Sequence, residues 1–186
     1  YESISTIGDD IGDLALNATL QGSQIGFKDI LLFAPDLAKS NPFKSHPNAV
    51  LKVNSKISGK VNDFKIPNLE LSGIGTTKIV ASGRVKGLPD IQKTILDLDL
   101  KNFESSAKDL NDFLPSGTIP NNIQLPAKFT VNGKFNGSIN NFKTDLKLKS
   151  TSGNATIKAL FDRSRKNAER YDAIVNLDQF DLGRLL

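Results

Sequence analysis

The chain has 186 residues, of which 38% are hydrophobic and 24% charged, and its 24 Lys and Arg against 20 Asp and Glu give a formal net charge of +4. This composition excludes the disordered, collagen-like and disulfide-scaffold classes, and the absence of Cys excludes thiolate chemistry and Cys-based metal sites. Because basic and acidic residues are interleaved and no apolar run nears about 18 residues, we predict neither a nucleic-acid-binding surface nor a membrane-spanning segment.

Apolar and polar residues alternate along most of the chain, as they do in β-strands with one dry and one wet face. A first strand is predicted at Leu14–Leu20, and a long second strand at Leu51–Val61 carries lysines on its other face. Phe64–Ile66 and Leu69–Leu71 follow as two segments separated by Pro67. Further apolar faces are predicted at Ile79, Ala81 and Val85, at Leu96, Leu98 and Leu100, at Phe129, Val131, Phe135 and Ile139, at Leu146 and Leu148, at Ile157, Ala159 and Phe161, and at Tyr171, Ala173, Val175 and Leu177.

Helical sequence is scarce. Ser106 is a candidate N-cap for a helix at Ala107–Leu114, which would end before Pro115, and a second short turn is predicted at Asp36–Lys39. Long strands that are apolar on one face favour antiparallel pairing over a doubly covered parallel sheet. The sequence therefore predicts a mostly β fold: an elongated, curled antiparallel sheet of repeated long strands, forming a repeating β-groove, with one or two short linker helices.

Three short patterns recur along the chain at intervals of 73 to 78 residues. They are Ile25–Ile30, Leu98–Phe103 and Val175–Phe180; Ile57–Lys60 and Val131–Lys134; and Gly75–Ala81 and Gly153–Ala159. We predict the end of a preceding repeat and a linker at 1–48, a repeat with a short helix near 106–114 at 49–126, and the following repeat at 127–186. Each repeat would contain about five long strands. Since such a sheet has no natural end and the chain lacks Met, we expect it to be a segment of a longer chain.

Residues that could support catalysis or bind ions are few. Ser105 and Lys108 match an S-x-x-K pattern, but they lie at a predicted helix N-terminus and the companion motifs of serine acyltransferases are absent. His46 has no second His with which to share a metal, and its Pro-rich surroundings favour a surface loop. The acidic residues Asp9, Asp10 and Asp13 lack the spacing and the closing Glu of an EF-hand calcium site. A glycosidase needs paired carboxylates such as Asp97 and Asp99, but these two lie on the polar face of a predicted strand, where solvated carboxylates are expected. We predict no catalytic residue, no metal and no cofactor, and we do not expect an enzyme.

A basic cluster, Arg163, Arg165, Lys166 and Arg170, is best interpreted as a solvated loop, with contact to anionic headgroups as the alternative.

The apolar face is the remaining candidate for function. It could be buried within a closed sandwich, or the sheet could curl into a trough that holds an apolar ligand. An extendable repeat favours the trough, because it cannot close around one compact core. The candidate lining residues are Leu51, Val53, Ile57, Ile79, Val85, Leu96, Leu98, Leu100, Phe129, Val131, Phe135, Leu146, Leu148, Ile157 and Val175.

Several stretches of the chain resemble the interior of TamB proteins, of the wider AsmA-like family. The resemblance runs from Val53 to Leu186. It depends on the order of five short sequence segments rather than on any single segment. These are Ile57-Ser-Gly-Lys-Val, Phe64-Lys-Ile-Pro-Asn-Leu-Glu-Leu-Ser-Gly, Ala81-Ser-Gly-Arg-Val-Lys-Gly-Leu-Pro-Asp, Phe142-Lys-Thr-Asp-Leu-Lys-Leu and Leu177-Asp-Gln-Phe-Asp-Leu-Gly-Arg-Leu-Leu.

This resemblance implies a β-taco segment in the periplasm of a diderm bacterium, within a parent chain anchored in the inner membrane. The family is associated with carrying phospholipid between the inner and outer membranes, with outer-membrane biogenesis and with a partner barrel of the outer-membrane assembly type. It has no catalytic residues to transfer, and neither the anchor nor the barrel-binding region has a counterpart here. The competing hypothesis is a structural or adhesive β-repeat scaffold that binds protein partners and has no lipid conduit.

Overall fold

The computed structural model describes residues 11–33, 35–39, 41–113, 124–164, 168–181 and 183. Within these residues the chain forms one antiparallel sheet in which each strand pairs with the next along the sequence. The strands are β1 (Ala15–Gly26), β2 (Val50–Lys60), β3 (Asp63–Ile74), β4 (Thr77–Lys86), β5 (Ile95–Ser106), β6 (Lys128–Ser138), β7 (Asn141–Ser150), β8 (Gly153–Asp162) and β9 (Arg170–Asp178). The sheet is curled and does not close, so β1 and β9 are its two edges. The predicted fold class is confirmed.

Two helices of seven residues each follow β1 and β5: α1 (Phe27–Phe33) and α2 (Ala107–Phe113). The predicted cap of α2 is confirmed, because the Asp109 N–H donates to Ser106 Oγ at 3.1 Å. The predicted turn near Asp36–Lys39 is a 3₁₀ turn at Pro35–Lys39. The last predicted helical residue, Leu114, lies outside the described residues.

Helix α1 was not predicted, and it changes the interpretation of one recurrent pattern. Leu98–Phe103 lies entirely within β5, whereas in the first copy β1 ends at Gly26 and the helix starts at Phe27. Phe27 therefore corresponds to Ala107, the first residue of α2, and not to Leu100 as the pattern implied. The other two recurrent patterns do fall on corresponding strands, β2 with β6 and β4 with β8.

Four strands, rather than the predicted five, lie between the two helices. The reason is Pro67, which does not end a strand but lies within β3, where the pairing with β4 shifts register between Ile66 and Leu69. Proline has no N–H to donate to a ladder, and a bulge is one of the places where a strand tolerates it. Strands β2–β5 fall within 49–126 and β6–β9 within 127–186.

Two residues predicted to lie on strand faces are in turns instead. Val61 and Ile139 occupy the two-residue turns between β2 and β3 and between β6 and β7, and Ile139 is 72% exposed. Alternation alone could not exclude them, because each continues the odd-numbered apolar positions of the strand that it follows.

Glycines on the apolar face of β6 let neighbouring backbones approach closely. Gly133 has φ +139°, and a Cβ placed on it would lie 2.0 Å from the carbonyl oxygen of Asp145 on β7. Gly137 is similar, with φ +132° and 2.1 Å to the carbonyl oxygen of Asn141. Glycines of this kind, together with bulges, allow a sheet to bend sharply while its ladder continues.

We predict that Gly133→Ala lowers the free energy of unfolding by about 2–3 kcal/mol, because the new methyl group would collide with the β7 backbone at an unfavourable φ. The measurement is urea unfolding followed by circular dichroism. Gly22→Ala is the control: Gly22 also has a positive φ, +57°, but nothing beyond its chain neighbours lies within 4 Å of the position that a Cβ would take there. We expect that control to cost only about 1 kcal/mol. Equal losses would show that the close approach at Gly133 is unimportant.

Candidate functional site: the apolar face of the sheet

The pairing register gathers all the candidate lining residues on one face. Residues directly opposite each other in an antiparallel pair project to the same side of the sheet. Phe103 of β5 lies opposite Ile79 on one side and Val131 on the other, and Val131 in turn lies opposite Leu148. Similar chains of partners connect the rest. The face therefore runs without interruption from Leu51 on β2 to Val175 on β9.

Bulges are what keep this face continuous. In β5 the pairing with β6 shifts between Leu100 and Phe103, so that Leu96, Leu98 and Leu100 are followed on the same face by Phe103. The set of lining residues predicted from the sequence omits Phe103, because the one extra residue of the bulge breaks the alternation. Phe64, Leu69 and Leu71 of β3, which the sequence placed on strand faces but not in the lining set, also lie on this face.

The opposite face is polar and carries many exposed lysines. On β6 and β7, Lys134 lies opposite Asp145, which Lys158 of β8 approaches with an Nζ–Oδ2 distance of 3.7 Å. A shallow groove of about 490 Å³ crosses this face over β1–β4, and its lining includes Lys52, Glu70 and Lys78. Asp97 and Asp99 lie on the same polar face of β5, as predicted for solvated carboxylates. The two faces therefore differ sharply in polarity.

Burial of the apolar face is greater on β2–β4 than at the β9 edge, although Phe129 on β6 and Ala155 on β8 are also buried, at 7% and 5% exposed. Val53 on β2 is 5% exposed and Val85 on β4 is 8% exposed. The residues of β5–β8 are mostly half-buried, and Val175 on β9 is 53% exposed. One half of the face is thus packed within the curl, and the other half opens to solvent at the β9 edge.

A local core covers the apolar face where β1–β3 meet α1. Phe27 at the start of the helix is 2% exposed and packs with Leu51, Val53 and Ile74. The ring of Phe43, from the segment that leads into β2, lies 4.4 Å from that of Phe27, measured between centroids. Leu51 and Val53 therefore belong to a packed core at this end, whereas the other candidates lie farther along the sheet.

A row of aromatic rings crosses β6–β9 on the apolar face. The centroids of Phe135 and Phe142 are 5.1 Å apart, as are those of Phe142 and Phe161, and both pairs are stacked. Tyr171 on β9 continues the row with an edge contact to Phe161 at 5.2 Å. Such pairs stabilise by about 0.5–1.5 kcal/mol each beyond their burial. The row gives the open half of the face a stiff apolar lining.

Asp109 of α2 joins the helix to the β3–β4 turn and is only 5% exposed. Its Oδ2 accepts hydrogen bonds from the Thr76 N–H at 2.8 Å and from Thr76 Oγ1 at 2.6 Å. Burial acts to raise the pKa of Asp109, but the hydrogen bonds from Thr76, Ser106 and Thr77 outweigh it and hold the pKa below its ordinary value. The ionised carboxylate therefore stabilises the attachment of α2 to the sheet.

We predict that Asp109→Asn lowers the free energy of unfolding by about 1–3 kcal/mol at neutral pH. Because the pKa of Asp109 is lowered on folding, its contribution is complete above the pKa in the unfolded chain and is lost as the pH falls through the pKa in the folded chain. The difference between variant and parent should thus shrink below about pH 4. Urea unfolding at a series of pH values measures it. Asp97→Asn, on the exposed polar face, is the control. A difference that does not change with pH would contradict the role of ionised Asp109.

The residues with catalytic motifs have structural partners. Ser105 is 2% exposed and shares a hydrogen bond of 2.8 Å with Thr77 Oγ1, while Lys108 is exposed. The S-x-x-K pattern therefore places the serine inside the sheet and the lysine in solvent. Asp13 pairs with Lys60 at 2.9 Å, which lowers the pKa of Asp13. Asp9 and Asp10 lie outside the described residues.

His46 has neighbours that the sequence did not reveal. Its Nδ1 lies 3.0 Å from Ser45 Oγ, and its Nε2 lies 3.8 Å from Asp112 Oδ2 of α2. Ser45 Oγ also lies within hydrogen-bonding distance of the carbonyl oxygens of Pro42 and Asp112. The Ser45 hydroxyl thus has backbone acceptors. These contacts connect α2 to the 41–49 segment, whose Phe43 packs against Phe27 of α1.

Of the basic cluster, the structure describes Arg163 and Arg170, and both are exposed. Arg165 and Lys166 lie outside the described residues. Among the described residues, no three His, Asp or Glu side chains are grouped closely enough to hold a metal ion. The same residues include no helix with the length and hydrophobicity needed to cross a membrane.

Comparison of the chain with protein-family models, curated proteins and solved structures finds no match. The fold itself defines the class: an unclosed antiparallel meander with one continuous apolar face and one charged face.

Proposed function

We propose that the chain is a segment of a lipid-carrying groove, in which acyl chains lie along the apolar face while the headgroups stay in water. The observation that carries this proposal is the continuous apolar face, which the sheet does not close over. In the described part of the chain, helix α1 and the 41–49 segment pack over the β1–β3 end of it. Apolar surface of this extent, left open in water, favours an apolar ligand.

The chemistry of the face suits a sliding ligand better than a fixed one. Each CH₂ group removed from water contributes about 0.8 kcal/mol, and aliphatic and phenyl side chains offer no hydrogen bond that would fix one position. The polar rim and the lysines of the other face keep the protein soluble around the ligand. Transport direction would have to come from outside this segment.

The resemblance to TamB and AsmA-like proteins extends the proposal to a cellular setting. In that setting the segment lies in the periplasm of a diderm bacterium, in a parent chain anchored in the inner membrane. The cargo is phospholipid moving between the two membranes, and a barrel assembly protein of the outer membrane contacts regions outside this segment. The repeated four-strand unit supports the proposal, because a groove that crosses a wide gap must be built by repetition.

We predict that Val131→Asp and Leu98→Asp each reduce bound phospholipid about tenfold, because an ionised carboxylate on the apolar face disfavours an acyl chain. The measurement is native mass spectrometry of protein purified without detergent from a membrane-rich lysate, with extraction and quantification of the lipid. Asn132→Asp is the matched control: it neighbours Val131 but lies on the polar face opposite Lys147. Loss of lipid in the control as well would contradict the assignment of the faces.

A second pair of variants separates a loss of lipid binding from a loss of folding. Val175 and Ile174 are consecutive residues of the edge strand, 53% and 60% exposed, on opposite faces. We predict that Val175→Asp weakens uptake of a fluorescent phospholipid from vesicles and that Ile174→Asp leaves it unchanged. Both variants should unfold at the same urea concentration as the parent. Equal uptake by the two variants would count against a lipid site on the apolar face.

The exposed β9 edge favours one alternative function, a scaffold that binds protein partners by strand addition. Such a scaffold would give a mass without lipid in the first experiment and would take up no lipid from vesicles. The presence of phospholipid that depends on Val131 distinguishes the groove from the scaffold.

A further inference from the structure

The two ends of the strands form two rims with different structures. Helices α1 and α2 follow β1 and β5 at one end, which we call the helix rim, and the β3–β4 and β7–β8 turns lie at the same end. The opposite end, the turn rim, includes the two-residue β6–β7 turn and the segment that follows β8. Because the two helices close part of the helix rim, a ligand on the apolar face reaches water more directly at the turn rim.

The row of aromatic rings lies next to the turn rim. Phe142 is the second residue of β7, and Phe161 is the second-last residue of β8. Phe135 stacks on Phe142 from the neighbouring strand β6. Farther toward the helix rim, the same face carries aliphatic side chains such as Leu148 and Ile157. The apolar face therefore has a direction, from aromatic at the turn rim to aliphatic near the helix rim.

One cation follows the aromatic row on the apolar side of the sheet. The Arg163 N–H donates to the carbonyl oxygen of Asn140 at 2.7 Å, so the β7–β8 pairing continues one position beyond Asn141 and Asp162. Because side chains alternate with a period of two, Arg163 lies on the same side as Phe161. Arg163 is exposed, and its guanidinium forms no ion pair with any carboxylate that the structure describes.

The charges at the helix rim do not suit an anion on the apolar face. Helix α2 has two acidic residues, Asp109 and Asp112, and one basic residue, Lys108. Lys128 and Lys149 also lie near this rim, but they belong to the polar face. An anionic group on the apolar face is therefore favoured at Arg163 and disfavoured beside α2.

We propose that the turn rim binds the phosphate of a phospholipid headgroup at Arg163, with the acyl chains running along β7 and β8 toward the helix rim. This inference rests on the proposed lipid groove and adds an orientation to it. A guanidinium can donate two parallel hydrogen bonds to phosphate oxygens. The aromatic row then contacts the part of the acyl chains nearest to the headgroup.

The length of the apolar face fits this orientation. From Phe161 to Ala155, strand β8 spans about 20 Å. The hydrocarbon core of a bilayer is about 30 Å thick, so the acyl chains of one leaflet extend over about 15 Å. An acyl chain whose headgroup lies at the turn rim therefore ends on the aliphatic part of the face, before it reaches the helix rim.

Photocrosslinking tests the orientation. Two phosphatidylethanolamines, one with a diazirine on the headgroup and one with a diazirine at the end of an acyl chain, are delivered from phosphatidylcholine vesicles to the 186-residue chain. Mass spectrometry then locates the labelled residues. The headgroup probe should label the turn rim around Asn140 and Arg163, and the acyl probe should label residues such as Leu148 and Ala155. The reverse pattern, or the same pattern for both probes, overturns the orientation and leaves the lipid groove in place.

Arg163→Glu tests the phosphate contact. We expect it to weaken uptake of a phosphatidylglycerol with a fluorescent acyl chain about tenfold, because the new carboxylate repels the phosphate that the guanidinium binds. Uptake of a diacylglycerol with the same fluorescent chain, which has no phosphate, should not change. Arg170→Glu is the matched control: Arg170 is also at the turn rim, but it lies opposite Asp162 on the polar face, and its substitution should leave both uptakes unchanged.

The two lipids separate a failure of this inference from a failure of the lipid groove. A loss restricted to phosphatidylglycerol in Arg163→Glu supports the phosphate site. Equal weakening for both lipids overturns it, since Arg163 would then act on the acyl chains or on folding, and so does unchanged uptake of phosphatidylglycerol. A parent chain that takes up neither lipid contradicts the lipid groove itself, and the phosphate site with it.

Discussion

The whole structure depends on the parity of the antiparallel ladder. Side chains alternate between faces with a period of two, so a shift of one residue between neighbouring strands would send a strand's apolar set into solvent. Across nine strands the partners remain matched, from Leu51 opposite Ile25 to Val175 opposite Ile157. Each strand therefore adds to the same apolar face, and the face can be as long as the sheet.

Curvature has to be introduced without losing that parity. In the β1–β6 half the register shifts at bulges, including those beside Pro67 and Leu100, and the apolar set resumes on the same face after each. In the β6–β9 half the ladders have no shift, and glycines such as Gly133 and Gly137 bring backbones close. The two halves differ accordingly, with a more buried face in the first and a more open one in the second.

The helices close one rim of the sheet and connect successive units to it. Helix α1 contributes Phe27 to the local core, and α2 is joined to the β3–β4 turn by Asp109. The contact of His46 with Asp112 ties α2 to the segment that covers α1. Successive four-strand repeats thus contact each other along the sheet and along this rim. Such contacts are expected in a repeat protein, where each repeat is stabilised partly by its neighbours.

The sequence by itself determined the fold class, most strands and the face on which each candidate residue lies, because alternation is a local property that a single chain displays residue by residue. It also located the N-cap of α2, which depends only on Ser106 and the residues that follow it. It could not locate α1, whose apolar residues from Phe27 to Phe33 are as compatible with a strand as with a helix.

Only the tertiary structure decided how Phe103 returns to the apolar face after a bulge, that Asp112 reaches His46, and that Arg163 extends the β7–β8 pairing at the turn rim. Each of these depends on the backbone of a neighbouring strand or helix far away in sequence, and therefore leaves no local pattern to detect.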